Sequence, residues 1–438
     1  MPYAQRRARA IAGFPEGVAI VPAAHLVTRN NDSTFEFRQN SDFFYLTGFD
    51  EPDAVLVLSC GENGPRSTLF LHRRDRTTEI WNGKRVGVEN ACDRLGVDEA
   101  FAIDEIDERL PALLAGAKTL YYEQGLDEAM DRRVQRALGA ARGLVRRKGI
   151  APHGILDAGG VLHGLRAIKS EAEIATMRRA AEITRRGHEA AMRATRPGVF
   201  EYEIEAVLEY EYHRGGAQST AYDSIVAGGD NAMTLHYSTN RERLEAGALL
   251  LVDSACELDL YATDVTRTWP VSGRFSPEQR AIYEIVLAAQ RAACACVAPG
   301  RSQRDFHEAA VRTIVEGLID VGLLRGSFDE NVENERYRDF YPHGTGHWLG
   351  LDVHDVGPYR NERDEPITLA PGMVTTVEPG IYVYRDLDCD ERFKGIGVRI
   401  EDDLVVTADG HENLTDSIPK TVADIEAIAG SGAGLVHA

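Results

Sequence analysis

Cysteine is scarce in this chain of 438 residues. The six present, Cys60, Cys92, Cys256, Cys294, Cys296 and Cys389, are scattered and lack the paired spacing of a zinc site. That argues against a disulfide framework or a thiolate metal cluster, and Cys294 and Cys296 read as packing residues of an Ala-rich helix. Long apolar runs are missing too. No stretch approaches the length needed to span a bilayer, and the N-terminal residues carry no apolar core of signal-peptide length, so the expected compartment is the cytoplasm. Positive charge is in deficit, with 49 Lys and Arg against 69 Asp and Glu and a formal net charge of −20. Such an excess disfavours nucleic acid and anionic membrane as partners.

The chain is too long for one ordinary core, which predicts two domains, 1–165 and 166–438. The first reads as α/β. Apolar runs at Val18 to Pro22, Ala54 to Ser59, Thr68 to Leu71 and Thr119 to Tyr122 predict buried strands, and helical spacing covers Asn90 to Leu95, Ile106 to Leu114 and Met130 to Arg147. Two patches, Arg38 to Phe49 and Asp75 to Gly83, mix aromatic with polar residues, as either a core margin or an interface edge would.

The second domain repeats itself. Ser170 and Glu173 form a capping box for a helix running to about Thr195, and a second helix follows at about Phe200 to Arg214. Ser276, Pro277 and Gln279 open the same arrangement again, with helices stopping at Pro299-Gly300 and near Gly322. Strands follow each helix pair, and each strand set carries two acids: Asp253 and Asp264 in the first, Glu378 and Glu401 in the second. A duplication of this kind, with a pseudo-twofold axis, would bring the four acids together at its centre.

Four carboxylates in one pocket repel one another, so they either take up protons or bind cations. Two divalent ions would balance their charge. A glycine-rich stretch from Tyr341 to Gly357 adds His343, His347 and His354. One imidazole, from His347, completes a donor set of oxygens with a single nitrogen, which favours manganese, cobalt or iron over a thiolate-type zinc site. Two such ions share a water and lower its pKa enough to make hydroxide near neutrality, a nucleophile for hydrolysis. His236 and His354 could then hold a scissile carbonyl and pass protons, although His236 also fits an ordinary core histidine. Asp402 and Asp403 read as supporting or solvated acids rather than ligands.

The order Asp253, Asp264, His347, Glu378, Glu401 resembles the ligand pattern of the pita-bread metallopeptidases. The core His343-Gly-x-x-His347-x-x-Gly-x-Asp-Val-His354-Asp, with Asp264 to Thr268, Val377 to Tyr382 and Gly397 to Asp403, is similar within that family to bacterial aminopeptidase P. The resemblance covers essentially the whole chain. It implies an α/β N-terminal domain before an α+β pita-bread catalytic domain, and removal of an N-terminal residue from peptides with proline second. It also implies two divalent ions, manganese by preference with cobalt, zinc or iron as substitutes. Asp253 would hold one ion, Asp264 and Glu401 both, and His347 and Glu378 the other, with Glu378 accepting the proton of the attacking water. His354 and His236 would contact the peptide near the scissile bond, and His343, Tyr382, Arg399, Arg363 and Trp81 would line or support the substrate pocket. Homo-oligomerisation is implied as well. Prolidase, which cleaves Xaa-Pro dipeptides and recognises their free carboxylate, is the alternative enzyme; a catalytically inactive peptide-binding member is the non-enzymatic one.

Overall fold

Val18 to Val21 are all buried in the strand Gly17–Pro22, as expected of a strand covered on both faces. It pairs antiparallel with Val55–Gly61 and parallel with Thr119–Tyr121. The six-stranded mixed sheet runs Glu99–Ala102, Gly64–Leu71, Val55–Gly61, Gly17–Pro22, Thr119–Tyr121, Gly154–Leu156 in spatial order. Helices Ile106–Leu114 and Glu128–Gly143 bury Leu110, Leu114, Met130 and Val134 against Ile20, Phe70 and Leu120. The structure, a computed structural model, describes residues 2–61 and 64–432. Contacts divide the chain into two units, Met1–Arg166 and Ala167–Ala438.

Of the two mixed patches in the first unit, Arg38 to Phe49 is core margin. Phe43, Tyr45, Leu46 and Phe49 are buried, and the buried Gln39 amide bonds Ala24 N, Phe49 O and Glu51 O. The other patch stays on the surface: helix Arg76–Asn82 buries none of its residues.

The second unit contains the repeat. Its first helix, Glu171–Ala194, begins where Glu173 Oε2 accepts from both the amide and the hydroxyl of Ser170 (2.8 and 2.6 Å). The corresponding helix, Pro277–Ala295, has the reciprocal box, Gln279 N to Ser276 Oγ and Ser276 N to Gln279 Oε1. Helices Glu201–Gly215 and Gln303–Asp320 follow. Each half then makes an outer antiparallel pair enclosing an inner hairpin. In the first half Leu249–Asp253 pairs with Thr266–Pro270 around Cys256–Leu258 and Tyr261–Ala262. In the second, Val374–Val377 pairs with Asp402–Val406 around Gly380–Tyr382 and Gly397–Arg399.

The four acids occupy equivalent places in this nested pattern. Asp253 ends one first outer strand, and Glu378 follows the other by one residue; Asp264 and Glu401 each lie between an inner strand and the returning outer strand. The sequence suggests acids on strands, whereas Asp264, Glu378 and Glu401 sit in the interruptions. In an unbroken strand successive side chains alternate between faces; a break frees the chain to re-aim one of them toward the centre.

Candidate metal centre

The stretch carrying His347 is fastened along the strand Val374–Val377 by backbone bonds, without being a strand itself. Thr376 N donates to His347 O (3.0 Å), Leu349 N to Val374 O (3.1 Å) and Glu378 N to Thr345 O (2.8 Å). A Cβ at position 346 would lie 2.1 Å from Thr376 O, so only glycine permits this approach. His347 Nδ1 lies 3.0 Å from Trp348 O. A proton on Nδ1 makes that bond and leaves Nε2 as the ligating atom, facing Asp264 Oδ2 at 3.3 Å and Glu378 Oε1 at 3.6 Å.

Asp253, Asp264, His347, Glu378 and Glu401 all line one cavity of about 450 Å³, together with His236, His343, His354 and Arg399. Ligand atoms of Asp264, His347 and Glu401 lie within 4.8 Å of one another. In the metal-free protein, burial and the neighbouring carboxylates Asp264, Glu378 and Asp253 hold Glu401 well above the usual carboxylate range. Burial raises Glu378 to about 7, with His347 opposing and Asp264 adding to the rise. Asp253 is raised by burial and by Asp264 against the pull of Arg399. For His347, burial works against the charged form, but Asp264 and Glu378 outweigh it and lift the ring to about 9. Crowded acids that ionise only with difficulty, facing one imidazole nitrogen, are a donor set that divalent cations fit: the ions neutralise the repulsion that otherwise holds protons on the oxygens.

Hydroxyl groups and one guanidinium hold the acids in place. Tyr222 donates to Asp253 Oδ1 (2.6 Å), Thr266 to Glu401 Oε2 (2.7 Å) and Thr376 to Glu378 Oε1 (3.3 Å). Arg399 donates to Asp253 Oδ2 (2.6 Å), Tyr382 Oη (2.8 Å) and Thr266 Oγ1 (3.0 Å). The Tyr382 hydroxyl in turn meets His343 Nε2 at 3.0 Å. His343 is neutral, its pKa lowered to about 3 by burial and by the Arg399 charge. Of these groups the sequence singles out Arg399, Tyr382 and His343; Thr266 lies within the Asp264 to Thr268 motif without a role of its own there, and Tyr222 and Thr376 are not singled out.

His354 stacks edge-on against His347, ring centroids 4.3 Å apart, and burial and the His347 charge lower its pKa. His236 lies in a turn at the cavity rim. Ile225, Leu235 and Val353 supply apolar wall. Tyr382 is fully buried behind Arg399 rather than part of that wall. Arg363 is exposed in the loop after Tyr359 and is not among the cavity-lining residues. Trp81 belongs to the first unit, on its surface helix, 82% exposed.

Residues 175–408 match metallopeptidase family M24, and residues 3–121 match the aminopeptidase P N-terminal domain. The chain belongs to metallopeptidase family M24. Its similarity to the Xaa-Pro aminopeptidase of Haemophilus influenzae is 44% identity, over 97% of this chain and 96% of that one. The structure of Pseudomonas aeruginosa aminopeptidase PepP superposes with a TM-score of 0.95 at 48% identity, covering 98% of this chain and 97% of that one. Zinc-substituted Escherichia coli aminopeptidase P in complex with product superposes at 0.94 with 44% identity, covering 98% and 97%. The M24 unit is therefore the pita-bread domain, preceded by an α/β domain, as the sequence resemblance implies. All six cysteines are unpaired thiols, and no helix among the described residues is long and apolar enough to cross a membrane.

Proposed function

We propose that this M24 metallopeptidase is an aminopeptidase that hydrolyses the bond between an N-terminal residue and a penultimate proline. The observation that carries the reading is the convergence of Asp253, Asp264, His347, Glu378 and Glu401 on one cavity, in a chain 44% identical to a Xaa-Pro aminopeptidase over nearly its whole length. These five residues would hold two divalent ions, manganese by preference. When bound, the ions supply Lewis acidity and hydroxide near neutral pH.

The chain's own groups do the rest. Glu378, half-buried and held by Thr376, is the carboxylate that would accept the proton of the attacking water. His354 is neutral near pH 7 and can hydrogen-bond a carbonyl oxygen or return a proton to the departing nitrogen, with His236 on the rim as its partner in holding the peptide. Ile225, Leu235 and Val353 give an apolar surface suited to a pyrrolidine ring. Proline has no amide hydrogen and a fixed φ, so a pocket shaped for it discriminates by contact rather than by hydrogen bonding. Residues 1–165 form the accessory domain and 166–438 the catalytic one in this reading. The protein acts in the cytoplasm as a homo-oligomer, with Trp81 offered to a neighbouring copy and Arg363 to the distal part of the peptide.

The test is hydrolysis of Gly-Pro and of Gly-Pro-Gly-Gly by metal-stripped protein with manganese restored, with Glu378→Ala as control. Cleavage of the tetrapeptide, lost in the variant, is the expected result. Cleavage of the dipeptide alone would make the protein a prolidase instead.

A further inference from the structure

Three residues of the cavity wall, Leu235, His236 and Ser238, come from one excursion between Gly228 and Glu242. Apart from a 3-10 turn at Gly229–Met233 it has no regular structure, so its place is set by what holds its ends. One side chain holds both. Glu201, fully buried in the first turn of helix Glu201–Gly215, accepts four hydrogen bonds, all from this excursion. Oε1 takes Gly228 N (2.9 Å) and Asn231 Nδ2 (2.8 Å); Oε2 takes Tyr237 Oη (2.8 Å) and Glu242 N (2.9 Å). Its own amide donates to Glu242 O at 3.0 Å.

Two features separate this from ordinary packing. A carboxylate offers four acceptor positions, and here the four are filled by four donors, two from the outgoing limb on one oxygen and two from the returning limb on the other. None of the donors is charged. Burying a carboxylate against neutral donors alone costs desolvation that an apolar residue at the same place would avoid, so this arrangement is a poor way merely to anchor a helix. Tyr237, one of the four, is the residue next to His236. Burial and the bond to Glu201 push its hydroxyl up to about 12, so it remains a donor.

We propose that Glu201 is a positioning residue for His236: its carboxylate clasps both limbs of the 228–242 excursion and fixes where the imidazole meets the bound peptide. The proposal rests on the aminopeptidase reading for the role of His236, while the clasp itself is independent of it. Glutamine at 201 has nearly the same shape but a single acceptor oxygen, so one limb would face an amide NH2 instead.

The experiment uses the full-length, manganese-loaded protein and the variants Glu201→Gln, Tyr237→Phe and His236→Ala. In Glu201→Gln, amides of 228–242 should exchange hydrogen on the order of tenfold faster while those of Pro277–Ala295 keep their protection. For Gly-Pro-Gly-Gly, a displacement of about 1 Å predicts a loss of kcat/KM of roughly 10- to 100-fold, mostly in kcat, falling to less than about twofold in the His236→Ala background. Tyr237→Phe should show the same dependence on His236 at smaller scale, and decides the matter if Glu201→Gln does not fold. Losses of equal size with and without His236, or unaltered exchange in 228–242, would overturn the proposal. A wild-type protein that cleaves no Xaa-Pro peptide would instead defeat the aminopeptidase reading, and exchange would still decide whether the clasp exists.

Discussion

Arg399 Nη2 donates to Asp253 Oδ2 at 2.6 Å, and both side chains are buried. With its other nitrogens on Tyr382 and Thr266, three of the five N–H donors of the guanidinium are committed to protein groups. Its work is on the metal site: it orients Asp253 and, through Thr266, Glu401. Arg399→Lys keeps the charge but cannot make three bonds in a fixed plane. We expect manganese affinity to fall about 10- to 100-fold, read by competition with a chelator, with the tetrapeptide-to-dipeptide ratio unchanged. A shift in that ratio at unaltered affinity would make Arg399 a substrate contact.

Metal binding should release protons. At pH 7 the metal-free site holds a proton on His347, lifted to about 9, and Glu378, raised to about 7, is about half protonated. Ligands must be deprotonated to bind, so affinity should rise with pH from below 7 to about 9. Calorimetric titration with manganese at pH 7, in buffers of different ionisation enthalpy, should show at least about one proton released. An enthalpy independent of buffer would contradict protonation of the crowded, metal-free site.

Much of this site is readable in the sequence because it is written twice. Ser170 and Ser276 announce the two helix pairs, and the four acids fall at matching places after them. What the sequence hides is the direction of the side chains. The breaks that aim Asp264, Glu378 and Glu401 inward arise from strand pairing across long separations, such as Val377 with Asp402, which no local pattern encodes. Arg399 and Tyr382 stand out in the sequence because they lie within the motifs; the fold sets them against Asp253 and His343. Tyr222, Thr266, Thr376 and Glu201 act through side-chain hydrogen bonds that only the folded chain brings together, and their residue types are common enough to give no signal alone.

His188 predicts a pH effect outside the metal site. The ring is fully buried, its Nε2 lies 2.7 Å from Ser254 O, and burial lowers its pKa from 6.5 to about 3. Below pH 6.5 the unfolded chain takes up a proton that the folded chain refuses until about pH 3. Its contribution is therefore complete above pH 6.5 and is lost as pH falls toward 3, at about 1.4 kcal/mol per pH unit. Urea unfolding at pH 7 and 5 should show a smaller acid-induced loss in His188→Gln than in wild type; equal losses would assign the acid sensitivity to other groups.

Lys169 and Asp355 form an ion pair of 2.8 Å with side chains only 2% and 1% exposed. Asp355 follows His354 directly, and its amide donates to Trp348 O at 2.9 Å, so the pair ties the His354 loop to the residue just before the N-cap of the first helix of the repeat. Removing Asp355 leaves the Lys169 ammonium buried without its carboxylate, a loss of about 3–5 kcal/mol, whereas replacing both with apolar residues of similar size is often neutral. Asp355→Ala should accordingly lower the unfolding free energy strongly, and the double variant Lys169→Met with Asp355→Leu should recover most of it. Recovery of stability need not bring recovery of activity. If the pair serves to hold His354 over the cavity, the double variant should fold well and bind manganese, yet hydrolyse Gly-Pro-Gly-Gly on the order of tenfold more slowly because the loop is no longer fixed in direction. Full activity in a stable double variant would show that backbone bonds along Val374–Val377 suffice to place His354.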